Sequence, residues 1–252
     1  MAGATPTSRV AALGSTGTAV ADQTVYRWRS TVGLHLLPGL LLFAGCLAFR
    51  PLVAAAGLPP GTGLTLAGIL VVAPFQLLYL AHRSPGRSGG FVVAIAEAAG
   101  FRCRLPAGQL RSLVATLVAF AAVALVVLYP VTRLLDSLGL GSVPAWLSSG
   151  GGWGVLGGLS VLGGVLTAVA EELYYRGHLM ARIPADPFTA TVTGAALSAS
   201  THFWQPSLIP VVFVVQAMLG LTVRRTGSIR VAVYTHLAMS LIGTAFAAAA
   251  LV

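Results

Sequence analysis

Seven apolar stretches, each of about the length that crosses a bilayer, fill the sequence from residue 31 onward, and they constrain the fold more than anything else in it. They fall at 31–49, 62–81, 111–132, 154–180, 187–204, 207–223 and 229–250. About 20 apolar residues in a helix match the hydrocarbon thickness. Backbone polar groups in lipid must be satisfied within the segment, so apolar runs of this kind are read as helices. Composition agrees. The chain is 56% hydrophobic and 8% charged, with a mean hydropathy of +0.88, whereas a soluble domain carries roughly a quarter charged residues. The expected fold is all-α: a polytopic transmembrane bundle of about seven spans over 31–252, preceded by a flexible tail over 1–30.

The net charge of +9 does not imply a nucleic-acid partner, because the charges sit between apolar runs and report topology. All fifteen basic residues are Arg, and Asn is absent. This is the mark of GC-rich codon usage and points to a bacterial source. With the spans above, thirteen arginines lie on one side: Arg9, Arg27 and Arg29; Arg83, Arg87, Arg102, Arg104 and Arg111; Arg176 and Arg182; Arg224, Arg225 and Arg230. Arg50 and Arg133 lie on the other. Positive charge stays inside, so the N-terminus is expected in the cytoplasm and the C-terminus outside. Cys46 and Cys103 then fall on opposite sides and are not expected to pair. The tail lacks the early apolar core of a signal peptide. FVVAIAEAAG (91–100) is too short to span and reads as a surface or re-entrant helix. Small residues spaced by four, Gly150, Gly154 and Gly158, then Ser160, Gly164 and Ala168, are expected to pack against helices of the same molecule.

Ionisable residues inside spans are costly and mark function by default. The fourth span holds Glu171 and Glu172, the fifth His202 and the seventh His236; His35 lies in the first. On an α-helix Glu172 and Arg176 share a face and can pair, while Glu171 points elsewhere, on the face carrying Tyr175 and His178. The turn IPADP (183–187), with Asp186 as a helix cap, joins the fourth and fifth spans. From it Glu172 lies ~20 Å and His202 ~25 Å along their helices, and His236 lies ~13 Å from its own turn. Two carboxylates and two histidines are therefore expected in one cavity.

That set suits two chemistries. A carboxylate can act as general base toward water while histidines orient it or steady an oxyanion. Alternatively, two histidines and a glutamate (Glu171, His202 and His236) can hold a hydrolytic zinc ion with one open position. No HExxH motif is present, so a metal site would have to be assembled across helices. A small transporter with a Glu/His proton relay is a third reading, but no inverted repeat supports it.

These residues follow the pattern of a known family. EExxxR stands as Glu171-Glu172-Leu173-Tyr174-Tyr175-Arg176, followed by Gly177; FxxxH stands as Ser198-Ala199-Ser200-Thr201-His202; HxxxN stands as His236-Leu237-Ala238-Met239-Ser240. With TGSIRVAVYTH (226–236) leading into the third motif, residues 150–245 resemble the CPBP family. These are the CAAX proteases and bacteriocin-processing proteins, also called Abi, which are multi-span intramembrane endopeptidases. The resemblance implies hydrolysis of a peptide bond in a membrane-associated protein or peptide, with membrane lipids as surroundings. Carried over by position, Glu171 is the water-activating base and Glu172 a second carboxylate held by Arg176. His202 orients the water or protonates the leaving amine, and His236 with Ser240 serves the oxyanion. The spacing alone leaves open which glutamate is the base.

Two motifs depart from the pattern. Ser198 replaces a Phe at a packing position, and Ser240 replaces the Asn that accompanies the motif-three histidine. Ser240 keeps a hydroxyl donor one turn past His236, in a chain whose codon usage has removed every Asn. The metal-free, glutamate-type reading is favoured, with zinc as the alternative cofactor. A prenylated CAAX substrate is not expected in a bacterium, where peptide maturation or bacteriocin self-immunity suits the resemblance better. A catalytically weakened member acting as a membrane partner or immunity factor is the alternative.

Overall fold

The computed structural model describes residues 25–84, 90–98, 107–139 and 153–249. Everything regular among them is helical. The helices are α1 (Trp28–Ala55); α2 (Thr62–Arg83), with a π-turn at Gly68–Val72; and α3 (Gly90–Ala98). Next comes α4, which runs through Ala107–Val123, a π-turn Ala124–Leu128 and Tyr129–Ser137. Then follow α5 (Trp153–Glu171), α6 (Pro187–Ser200), α7 (Ile209–Thr226) and α8 (Ile229–Ala249). α5 does not stop at Glu171 but continues as a π-helix, Glu172–Leu179, and a short 3₁₀ turn, Met180–Arg182. The expected tail over 1–30 lies mostly outside the described residues.

Four of the expected spans are single helices long and apolar enough to cross a membrane: α1, α2, residues Gly108–Leu135 of α4, and Pro206–Thr226. Their outward residues are apolar, for example Val32, Leu40 and Leu47 on α1 and Leu70 and Leu78 on α2. A face of that kind suits lipid, and the chain is a multi-pass membrane protein. The fifth expected span is shorter than its hydropathy suggested. α6 ends at Ser200, so His202 sits in the following turn with its N–H on the Ala199 carbonyl. The described part of the segment at 91–100 belongs to the nine-residue helix α3, packed on α2 and the π-helix, with Ala94 and Ile95 buried; residues 99–100 lie outside the described residues.

Neighbouring helices approach α6 and the turn after it closely, and small residues are the reason. A Cβ on Gly220 of α7 would stand 2.8 Å from Thr191 Cγ2, and one on Gly39 of α1 would stand 2.5 Å from Thr201 Cβ. Of the two small-residue stripes, Gly164 faces Ser240 of α8 and Ala168 is fully buried, while Gly158 faces open space. The turn before α6 is capped as its sequence implied. Asp186 accepts from the N–H groups of Phe188 (3.0 Å) and Thr189 (3.2 Å), and the bonds to Thr189 and Phe188 lower its pKa.

Candidate active site

The stretch AVAEELYYRG changes its winding at the point where its charges begin. From Glu172 the backbone follows i→i+5 bonds, an arrangement that is rare in proteins and frequent at functional sites. The 100° step used to place side chains on an α-helix therefore ends at Glu171. Of the face expected for Glu171, Tyr175 and His178, Tyr175 stays within electrostatic reach of Glu171, while His178 Nε2 lies 3.1 Å from Tyr26 Oη and its ring packs edge-on to Tyr79.

Glu172 is completely buried, and its Oε1 takes two contacts, from Arg176 Nη1 at 3.1 Å and His236 Nδ1 at 2.9 Å. A carboxylate paired with arginine can only accept, so His236 Nδ1 carries the hydrogen. Oε2 is also buried and has no hydrogen-bond partner among the described residues. Arg176 reaches further with Nη2, which donates to the Gln216 carbonyl of α7 at 3.1 Å. One buried carboxylate thus ties the π-helix to α8, and its arginine ties it to α7. The His236 side chain keeps 18% exposure, against 4% for Arg176 and 0% for Glu172. Whatever approaches the array therefore meets the imidazole first.

Glu171, the last α-helical residue, is partly exposed. It lies within electrostatic reach of Tyr175, His202 and His236. His202 is held by its neighbours in the turn: Nδ1 lies 3.3 Å from Thr201 Oγ1, and the ring lies 5.5 Å from the Trp204 ring, which stacks on Phe43 of α1. Ser240 follows His236 by one turn and lies against Gly164. Ser198, in the place of the motif Phe, is buried beside Tyr175.

The structure therefore joins Glu172, Arg176 and His236 directly, with Glu171 within electrostatic reach of both histidines. It does not assemble a metal set. Among the described residues no three His, Cys, Asp or Glu side chains stand where one ion would bind them, and this includes Glu171, His202 and His236.

Several residues around the site were not singled out by their spacing. Tyr174 Oη donates to the Leu34 carbonyl at 2.8 Å and Tyr175 Oη to the His35 carbonyl at 3.2 Å. Both tyrosines of the motif thus anchor α1. Gln216, whose carbonyl receives Arg176, had a legible signal, being a lone amide in the run VVFVVQAMLG. His35 had one too, as an imidazole in the first span, but nothing in the sequence linked it to a site some 140 residues away.

Residues 152–242, a little over a third of the chain, match the family described as Type II CAAX prenyl endopeptidase Rce1-like. The match spans all three motifs, in agreement with the family read from them. No curated protein and no solved structure matches the chain.

Proposed function

Because this membrane protein carries in residues 152–242 a domain of the Rce1-like family of type II CAAX prenyl endopeptidases, we propose that it is an intramembrane endopeptidase working through a glutamate-activated water. The observation that carries the reading is the division of labour between the adjacent carboxylates. Glu172 is spent on Arg176 and His236, which leaves Glu171, partly exposed and near both histidines, to take a proton from water. The resulting hydroxide bonds to the scissile carbonyl carbon. A His236 carrying both ring protons gives one to Glu172 and offers the other, with the Ser240 hydroxyl, to the oxyanion. As the C–N bond breaks, the nitrogen keeps the bonding pair and takes a proton relayed through His202. The products are a carboxylate and an amine, and the substrate is a peptide or protein associated with the membrane. The catalytic residues lie toward the cytoplasmic side, with the N-terminus in the cytoplasm.

The test uses the purified protein in lipid vesicles, a panel of membrane-anchored peptides and mass spectrometry of the products. Glu171→Ala and His202→Ala should each abolish cleavage at unchanged membrane yield, and Glu172→Ala should abolish it together with a loss of stability. Three variants as active as the parent would sink the proposal.

Ser240 supports a second reading, a weakened family member that serves as a membrane partner or immunity factor. A hydroxyl is a shorter and less directed donor than an amide. Gly164 leaves space beside position 240, where a glycine Cβ would lie 3.5 Å from Ser240 Cβ. Ser240→Asn should raise cleavage if the chain is a weakened enzyme; no cleavage in either form favours the partner role.

A further inference from the structure

Beside Arg176, the π-helix, α1, α6 and α7 line a small cavity. His35, Tyr175, Arg176, Thr191 and Gln216 contribute its polar wall, and Gly194 keeps it open. Its room is about that of one water molecule. Most of the polar atoms around it are already engaged. Tyr175 Oη donates to the His35 carbonyl, and Thr191 Oγ1 donates to the Pro187 carbonyl at 2.8 Å.

Two acceptors are not. His35 is 1% exposed, and its Nδ1 stands 2.7 Å from the Thr31 carbonyl. A carbonyl only accepts, so Nδ1 holds the hydrogen and the neutral ring presents a bare lone pair at Nε2. Nε2 points toward Gly194, where a Cβ would lie 3.8 Å away, and has no partner among the described residues. Gln216 is 7% exposed, and its Oε1 is likewise buried without a partner. Opposite them, Arg176 has five N–H groups, with single bonds from Nη1 and Nη2 to Glu172 and the Gln216 carbonyl.

Two acceptors and a surplus donor around a water-sized space select their occupant. A cation would face a guanidinium, an anion would face two lone pairs, and an organic group would not fit. Water has two donors and can accept. We propose that this cavity is a built site for one water molecule. It donates to His35 Nε2 and Gln216 Oε1 and accepts from Arg176, so that α1 positions the guanidinium holding Glu172. His35 lies outside the segment that matches the family and acts as a positioning residue. The water site stands on its own; only its consequence for catalysis rests on the protease reading above.

Two measurements decide it. In an experimental map that resolves other buried waters, a peak should lie within about 3.2 Å of both His35 Nε2 and Gln216 Oε1; a clear map without that peak overturns the site. In the cleavage assay, His35→Asn keeps a donor for Thr31 but ends short of the cavity, whereas His35→Gln carries an amide oxygen to the place of Nε2. Asn should lower kcat about tenfold with KM unchanged, and Gln should retain most of the activity. Equal activity of His35→Asn and the parent, or equal losses in both variants with matching drops in melting temperature, overturns the positioning role. A parent that cleaves nothing refutes the protease reading alone, and the map still decides the water.

Discussion

At the scale of single residues, the two adjacent glutamates stand in different surroundings, on either side of a change in backbone winding. Glu172 opens the π-helix and is fully buried with a guanidinium and an imidazole on one oxygen, while Glu171 closes the α-helix and stays partly exposed. Removing one partner from a buried ion pair costs about 3–5 kcal/mol, because the other charge is left without compensation. Glu172→Gln should therefore lower the melting temperature in detergent and abolish cleavage. Glu171→Gln should abolish cleavage with little change in melting temperature. Equal stability losses in the two would contradict the assignment. Arg176→Lys should fail to restore Arg176→Ala, since one ammonium cannot span Glu172 and the Gln216 carbonyl as a planar fork does. The pairing of Glu172 with Arg176 was legible from four-residue spacing. The contact to His236 was not, because it joins residues 64 apart in sequence.

At the scale of elements, the position of His202 depends on where α6 stops and on what holds the turn after it. Thr201 is clamped against Gly39 of α1, where an added Cβ would meet Thr201 Cβ at 2.5 Å and its backbone Cα and O at 2.9 Å. Backbone cannot yield as a flexible side chain does, and overpacking of this kind costs about 1–3 kcal/mol. Gly39→Ala should push the turn and His202 away from Glu171, lowering both melting temperature and cleavage; parental values in both would show that the turn is not seated there. The other end of α6 carries a pH dependence. Asp186 has its carboxyl pKa lowered by bonds from Thr189 and Phe188. Its cap therefore contributes above the ordinary carboxyl pKa and is lost as pH falls through the lowered value. Asp186→Asn should flatten that acidic limb of the stability profile.

At the scale of the whole molecule, the distribution of arginine predicts an orientation. With the seven spans expected from hydropathy, thirteen arginines fall on the side that carries the turn at 183–187, and two on the side that carries residues 56–61. A single cysteine in place of Asp186 should be labelled by an impermeant thiol reagent only in inside-out vesicles, and one in place of Gly57 only in intact cells. Reversed labelling would invert the bundle and place the site nearer the outer face.

The sequence by itself determined the membrane-embedded all-α character, the motif residues and the family pattern that residues 152–242 match, because hydropathy and short spacings are local properties of a chain. It also carried the Asp186 cap and the Glu172–Arg176 pair, each of which needs only one turn of helix. Only the tertiary structure decided that residues 172–179 are π-wound, that α6 ends before His202, and that Glu172 belongs to His236. The same holds for the meeting of His35, Gln216 and Arg176 around one small cavity. Each of these depends on how closely helices far apart in sequence approach. That approach is set by glycines at 39 and 220, whose missing side chains become informative only once the opposing helix is in place.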